Sequence, residues 1–475
     1  MKNVFLKKIL IGIVVGGAWG AWAEGVPSED RTVSLSECEK RALAQHPSVR
    51  LAAQETALAR QKKFEARRAL GPELVLKGEY TDGAALPELG SPGFREESYG
   101  VQGSQPVFQG RRLYNVYRQS KASWESVKAR EEKTRQAVLY TVREAFWNLV
   151  KARRSTEIFR ISEKNLKENK DKSDVLIKKD MIPSRDFHEV ETEYYQGVLE
   201  REGAEADQEA RLWQWTAALG LLSPPPEIPP ADIPEIKNET PFTLAFCLER
   251  ATQVHPDLLF QRKATEAAYY GELAGKSIYY PKLSVNGSYG RSGGAFDSEP
   301  LSLREDWLIG FQASQYFGGN SLNVSGFDQR TSPKIGQTNR TEAKTISGSL
   351  GLLDSTRQTT EKEEASLMSD QSRVQLDQTI MDVANGVRDA YAEWKKSIAR
   401  LHLAEHKRAL AKSEWTIATI KGSRGETPWS ERCVKRNEWA RAESFAVEAR
   451  ALHHISQAGL CRAVGDPNLF EAGQQ

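Results

Sequence analysis

Two hydrophobic periods alternate along the chain. Between Pro72 and Thr81, Leu74, Leu76 and Tyr80 fall on one face and Lys77, Glu79 and Thr81 on the other, which is the period of a strand with one apolar and one wet face. After Gly110, apolar residues recur every three or four positions, the spacing of a stripe that packs helix against helix: Val138, Val142, Ala145, Leu149 and Ala152. Residues 111–178 contain no proline, and a helix of that length would be about 100 Å long. The pattern therefore predicts short amphipathic strands joined to very long helices.

Both patterns occur twice, in register. His46 pairs with His255 at an offset of 209 residues, and Val142 pairs with Val387 at an offset of 245. The chain is therefore predicted to hold two repeats, at 33–221 and 242–465, joined by a proline-rich linker at 222–241 and followed by a tail at 466–475. Each repeat reads helix, helix, strand, strand, long helix, long helix. The predicted strands are about 72–82, 98–108, 281–291 and 343–353, and the predicted long helices about 111–178, 184–219, 354–420 and 428–464.

The change of offset leaves 36 additional residues in the second repeat, and most of them fall in a segment at about 305–340. Trp307, Ile309 and Phe311 alternate there with Leu308, Gly310 and Gln312, as in a membrane strand. The segment could add one hairpin or form a long loop, and the sequence leaves both open.

Each repeat opens with a His-Pro step. A residue before proline is pushed out of the helical region, and proline suits the first position of the next helix. We therefore interpret His46-Pro47 and His255-Pro256 as helix junctions. A catalytic role for the two histidines is a weaker alternative.

The N-terminus predicts export. Lysines, a short apolar run and Ala21-Trp22-Ala23 form a secretory signal at residues 1–23. No later stretch has 18 consecutive apolar residues, so any membrane contact of the mature chain would need a β-barrel.

Composition narrows the function further. Of 475 residues, 27% are charged, but the net charge is only +2, which does not favour a nucleic-acid partner. The sequence contains no P-loop or H-E-x-x-H motif and no Cys/His cluster, so we predict no enzyme activity, no cofactor and no metal site. Cys38 and Cys247 occupy matching positions and could be two buried thiols or one disulfide.

The whole pattern resembles the TolC-type outer-membrane efflux proteins. The residues that carry the resemblance are LSECEKRALAQHPSV with its repeat, SQPVFQGRR at the exit of the second strand, and ALGL at residues 218–221. The resemblance implies a mainly α fold with a small transmembrane β part. It also implies a homotrimer in which each subunit lends four strands to a β-barrel in the outer membrane, in contact with its lipid, and long helices to a periplasmic α-helical barrel. The channel would be a passive duct of a tripartite efflux or type I secretion system, opened by a periplasmic adaptor protein and an inner-membrane pump.

The resemblance also suggests functional residues at the periplasmic tips. An acidic ring would form the gate, with Glu431 in the second repeat and Asp186 and Glu189 in the first. These acids could instead merely stabilise helix N-termini through the macrodipole. The candidate adaptor-docking residues of the two tips are Asp180, Pro183, Gly422, Gly425 and Pro428. We expect the two glycines to permit the sharp return of the chain.

One alternative belongs to another class of protein. Long heptad helices would also suit a periplasmic coiled-coil adaptor or scaffold without a membrane barrel. The repeated pair of amphipathic strands argues against it, because a scaffold needs no such pair.

Overall fold

The computed structural model describes residues 32–84, 93–230, 232–233, 242–296, 299–333, 339–354, 357–424 and 426–472. The predicted signal segment 1–23 lies outside these ranges. Residues 231 and 234–241 of the predicted linker also lie outside them. Within them, no helix has the length and apolar character needed to cross a membrane.

Long helices dominate both repeats. The first repeat contains α1 (Leu35–Gln45), α2 (Pro47–Arg68), α3 (Arg112–Ile177) and α4 (Ser184–Ala218). The second contains α5 (Leu244–Val254), α6 (Pro256–Lys276), a 3-10 turn (Ser277–Tyr279), α7 (Arg357–Ser423) and α8 (Trp429–Val464), followed by the short α9 (Leu469–Ala472). With 66 and 67 residues, α3 and α7 are each about 100 Å long.

The strands form one antiparallel sheet in chain order. They are β1 (Glu73–Ala84), β2 (Gly93–Gln109), β3 (Lys282–Phe296), β4 (Arg304–Phe317), β5 (Asn320–Thr331) and β6 (Thr341–Gly351). The additional segment, which the sequence left open between a hairpin and a loop, is the hairpin β4–β5. The resemblance implied four strands per subunit, whereas the described chain has six.

A two-residue turn makes this hairpin possible. Gly318 and Gly319, between β4 and β5, have φ values of 55° and 80°. Two successive residues with positive φ are the requirement of a type I′ turn, whose twist matches that of the flanking strands. The insertion therefore folds as a tight, regular hairpin.

Each repeat has its own buried core where its short helices pack on its long ones. The first core includes Cys38, Val142, Leu149 and Trp215. The second includes the corresponding Cys247, Val387, Trp394 and Leu460. All four cysteines of the chain are buried and free, so the structure favours two separate thiols over a Cys38–Cys247 disulfide.

The His-Pro steps lie between the short helices of each repeat. α1 ends at Gln45 and α2 begins at Pro47, while His46 keeps extended backbone angles and its Nδ1 accepts a hydrogen bond from the N–H of Ser48 at 3.2 Å. His255 does the same between α5 and α6, accepting from Asp257 at 3.2 Å. Since Nδ1 of each ring caps a helix, the geometry is that of a junction.

Each junction packs against a glycine that ends a long return helix. Gly220 follows α4 with φ 73°, and Gly465 follows α8 with φ 80°. A Cβ on Gly220 would lie 2.9 Å from Pro47 Cδ, and one on Gly465 would lie 2.7 Å from His255 Cα. Both the left-handed angle and the close approach require glycine.

Candidate functional site: the helical tips and the strand sheet

The first tip, between α3 and α4, is a tight Schellman turn. The N–H of Met181 donates to the carbonyl of Leu176 at 3.0 Å, and the N–H of Asp180 donates to Ile177 at 3.0 Å. Asp180 therefore stands at the C′ position with φ 52°, a left-handed angle that glycine usually supplies. Pro183 then precedes the first residue of α4 and is exposed.

The second tip, between α7 and α8, depends on a different use of glycine. Gly422 lies in the last turn of α7, and it is not among the described glycines with positive φ. A Cβ there would collide with the side chain of Arg432, which stacks on Trp429 with 4.6 Å between guanidinium and ring centre. The absence of a side chain at Gly422 therefore leaves room for Arg432 of α8, and Gly422 does not serve to reverse the direction of the chain. Gly425 lies outside the described residues, and Pro428 precedes α8 as Pro183 precedes α4.

The three acidic gate candidates occupy the first turns of α4 and α8, but their surroundings differ. Glu189 accepts a hydrogen bond from Arg185 at 2.9 Å. The hydrogen bonds from Arg185 and from Ser430 of α8 lower the pKa of Glu189. Asp186 is half-buried in the first turn of α4, whereas Glu431 is exposed, next to Ser430. Glu189 therefore forms an ion pair within its own helix and a hydrogen bond that links the two tips. Of the three acids, Glu431 has the most solvent-exposed side chain.

A polar seam holds α4 against α8 above the tips. Asn437 donates to the side chain of Glu193 at 2.7 Å, and Arg441 donates to Glu200 at 2.6 Å. An apolar cluster of Leu166, Val190 and Cys433 lies beneath this seam. The contacts place both helical hairpins side by side at one end of the molecule.

Sequence reasoning missed a buried cation between the long helices of the second repeat. Arg436 is 3% exposed, and its guanidinium lies 4.4 Å from the ring centre of Trp439 and 5.5 Å from that of Trp415. The two indoles stack at 4.5 Å. Burial lowers the pKa of Arg436. The three-residue step from Arg436 to Trp439 indicates a shared helix face, but Trp415 comes from α7 and no local pattern reveals that contact.

At the opposite end, the sheet has one apolar and one polar face. In register, Leu76 pairs with Val101, Val101 with Tyr289 and Tyr289 with Trp307. The apolar face is well exposed, with Leu76 and Ile346 each 83% accessible. The other face carries small polar residues at paired positions, and hydroxyl and amide groups meet there: Ser104 with Asn286, and Ser325 with Ser347.

Charged pairs mark the outer limit of the apolar face. Arg330 of β5 pairs with Glu342 of β6, and Asp328 pairs with Lys344 at 3.7 Å. All four residues lie on the apolar face: the Asp328–Lys344 pair is one step beyond the Gly326–Ile346 pair, and the Arg330–Glu342 pair is two steps beyond it. A band of apolar side chains bounded by charges suits a surface that enters lipid only over part of its height.

Among the described residues, no group of three or more His, Cys, Asp or Glu side chains could hold a metal ion.

Solved structures of outer-membrane channels share this fold. The chain aligns with the outer-membrane channel OprN at a TM-score of 0.70 and 14% identity, covering 93% of this chain and 94% of that one. The Campylobacter jejuni CmeC channel aligns at a TM-score of 0.71 and 14% identity, covering 98% of this chain and 94% of that one. The open state of the Neisseria gonorrhoeae MtrE channel aligns at a TM-score of 0.70 and 15% identity, covering 91% of this chain and 89% of that one. None of the curated proteins compared matches the sequence.

The family itself is shown by the sequence. The family model described as "Outer membrane efflux protein" matches residues 39–174 and 247–466, which together make up most of the chain. The match covers most of α3 in the first repeat and both long helices, α7 and α8, in the second. This family consists of efflux ducts of the outer membrane and is not an enzyme family. The chain therefore belongs to the outer membrane efflux protein family, as a channel of the outer membrane with a large periplasmic helical part.

Proposed function

We propose that three copies of this chain assemble into the exit duct of a tripartite efflux or type I secretion system. The observation that carries the proposal is the incompleteness of one chain. Its sheet has an exposed apolar face and ends at the edges of β1 and β6, so it cannot enclose water by itself. Small barrels need about eight strands to close. Three sheets joined edge to edge would form the membrane pore, and the long helices would form a periplasmic tunnel.

Conduction through this duct is passive. The proposed energy source is an inner-membrane pump, and a periplasmic adaptor protein transmits its action to the helical tips. Both His-Pro steps serve as helix caps, which supports a channel without catalytic activity or cofactor. Lipid of the outer membrane is the partner of the apolar sheet face, and no nucleic-acid partner is proposed.

Assembly and conduction can be tested with the purified mature protein. We expect a mass of three chains in detergent, a band on a gel that shifts on heating, and ion conduction after insertion into planar bilayers. A monomer that does not insert would overturn the proposal and revive the scaffold alternative.

Gating is proposed to depend on Glu431. Three copies of an exposed carboxylate near a three-fold axis would favour cations, whereas Glu189 is already paired with Arg185. We expect Glu431→Gln to reduce cation selectivity in planar bilayers clearly more than Glu189→Gln does. Asp186, which is half-buried, should fall between the two. Equal selectivity in all the variants and the parent protein would show that these acids only stabilise helix N-termini.

Adaptor docking is proposed for the two tips, around Asp180, Pro183, Gly422, Gly425 and Pro428. A photo-crosslinking amino acid at Asp180 or Pro428 should capture the adaptor encoded with this channel. The same group at Leu222, which is fully exposed beyond the far end of α4, is the control and should capture none. Equal capture at all positions would contradict docking at the tips.

A further inference from the structure

The hairpin β4–β5 is built into the sheet rather than laid over it. Eleven residue pairs join β3 to β4, and eleven join β5 to β6. β3 and β6, the two strands that the repeat itself supplies, are separated by the hairpin and do not pair with each other. The insertion therefore widens the sheet by two strands.

Both faces of the sheet continue through the hairpin. On the apolar face, Ile309 and Phe311 of β4 follow Val285 of β3, and Leu322 of β5 precedes Leu350 of β6. On the polar face, Gln312 pairs with Ser325 across β4 and β5. Lipid-facing and water-facing positions therefore alternate in the added strands as they do in the others.

Aromatic rings lock the register of the hairpin. Gly310 faces Phe327 on one side of the sheet, and Gly326 faces Phe311 on the other. A Cβ at either glycine would collide with the facing ring. Such an aromatic side chain over a cross-strand glycine pins a strand pair and covers the exposed backbone. A loop outside the membrane would not need this device twice.

The two outer edges are matched for pairing between copies. β1 has 12 residues and β6 has 11. β1 leaves the helical end of the molecule after α2, and β6 returns to it before α7, so the two run in opposite directions. β1 of one copy can therefore pair antiparallel with β6 of the next, without any change of polarity around the ring.

We propose that the trimer closes an 18-stranded pore instead of a 12-stranded one, and that this pore admits polar solutes about 1.5 times wider at membrane level. This inference rests on the trimeric assembly proposed above. With strands about 4.8 Å apart and tilted by about 40°, 18 strands give a backbone diameter of about 36 Å, and 12 give about 24 Å. The polar face, rich in Ser, Asn and Gln, lines this pore. The wider pore therefore favours bulky hydrated solutes as cargo.

The first experiment counts strands in the full mature chain. Electron cryomicroscopy of the trimer in lipid nanodiscs should show 18 strands, with β1 of each copy beside β6 of its neighbour. A trimeric particle with 12 strands, its β4–β5 hairpin outside the wall, would overturn the inference and leave the proposed channel intact. A particle that is not trimeric would instead overturn the proposed function.

The second experiment measures the width of the pore from outside the cell. Ser349→Cys places a thiol on the polar face of β6, and all four native cysteines are buried. Maleimides carrying polyethylene glycol of increasing size are added to intact cells that express this variant, with or without deletion of residues 304–331. The deletion joins β3 to β6 through their outer loop. We expect the full chain to be labelled by polymers about 1.5 times wider than the deletion variant admits.

Equal size limits in two trimeric variants would overturn the inference. If the deletion variant does not assemble, the strand count of the full chain decides alone. The periplasmic tips do not affect this assay, because the polymers enter from the extracellular end.

Discussion

The two repeats close their cores with the same pair of residues in exchanged positions. In the first core, the long helix α3 supplies Leu149 and the return helix α4 supplies Trp215. In the second core, the corresponding position of α7 is Trp394 and that of α8 is Leu460. All four side chains are at most 3% exposed. The repeats therefore fill their cores with the same side-chain pair, although neither position keeps its residue.

This exchange shows what the duplication preserves. A large indole and a smaller aliphatic side chain occupy facing helices in either order, so the summed volume of the pair is constant while each site varies. Cores tolerate such exchanges when total volume is kept.

The largest effect is expected from exchanging this pair in the first repeat only. Trp215→Leu should leave a cavity and cost about 3 kcal/mol, and Leu149→Trp should overpack the core and cost about 1–3 kcal/mol. The double variant reproduces the arrangement of the second repeat, so we expect it to cost less than the sum by about 1–3 kcal/mol. Thermal unfolding of the mature protein in detergent measures all three. Strictly additive losses would show that the two positions are independent.

The next largest effect concerns the glycines at the His-Pro junctions. Gly465→Ala should cost about 2–4 kcal/mol, because the left-handed angle and the clash with His255 both penalise a Cβ. Gly220→Ala should be similar but slightly milder, since its nearest approach is 2.9 Å rather than 2.7 Å. Thermal midpoints of the two variants compare the repeats directly.

Gly203→Ala is the control for these glycines. Gly203 lies within α4, with nothing within 4 Å of an added Cβ. There we expect a gain of about 0.5–1 kcal/mol from helix propensity. If Gly203→Ala destabilised the protein as much as Gly465→Ala does, the loss of stability at the junction could not be attributed to the left-handed angle and the clash.

A smaller effect is expected from the pH dependence of the junctions. Burial lowers the pKa of both His46 and His255 below the ordinary 6.5. The unfolded chain therefore takes up protons first as the pH falls, so the stability that the neutral rings provide is present above about pH 6.5 and is lost as pH falls through the folded-state pKa. Replacement of both by Asn keeps a capping acceptor that does not titrate, at a cost within about 1 kcal/mol at pH 7.5.

Thermal midpoints measured between pH 8 and pH 5 give the test. The parent protein should lose more stability across this range than the double Asn variant. Parallel pH profiles would show that other groups set the acid sensitivity. The two single variants show which repeat contributes more, and we expect His255, the more deeply buried ring, to dominate.

The smallest predicted effect lies at the first tip. Asp180 holds a left-handed angle at a position that corresponds to Gly425 in the second repeat. Asp180→Gly should stabilise the chain by about 0.5–1 kcal/mol. Asp180→Asn should change little, because asparagine tolerates this angle about as well. A loss of stability with glycine would mean that the Asp180 side chain makes a contact worth more than its strain.

Much of the fold could be predicted because its elements follow strict periods. The heptad-like stripe through Val142 and Leu149 indicated α3, and the repeat carried that prediction to α7. The additional hairpin could not be decided from its alternating residues alone, because a loop that lies outside the membrane can show the same pattern. What settles it is the fit of Phe327 over Gly310, a contact between strands that no local window contains.

The candidate site was less accessible to sequence reasoning. The acids at the tips could be named from their positions after Pro183 and Pro428, but their pairing could not. Glu189 bonds to Ser430 of another helix, and Arg436 lies against a stacked pair of indoles that are 24 residues apart in sequence. Such contacts depend on how helices turn relative to one another, which the chain-order pattern leaves undetermined.

The burial of the cysteines has a consequence for how this protein can mature. Burial raises the pKa of Cys433 to about 12 and those of Cys38 and Cys461 to about 11, and that of Cys247 is raised as well. Because only the thiolate attacks a disulfide or an oxidant, the cysteines of the folded chain are nearly inert toward oxidation. Oxidation of the cysteines is therefore confined to the interval between export and folding, and a chain delayed at that stage is the one that forms wrong cross-links.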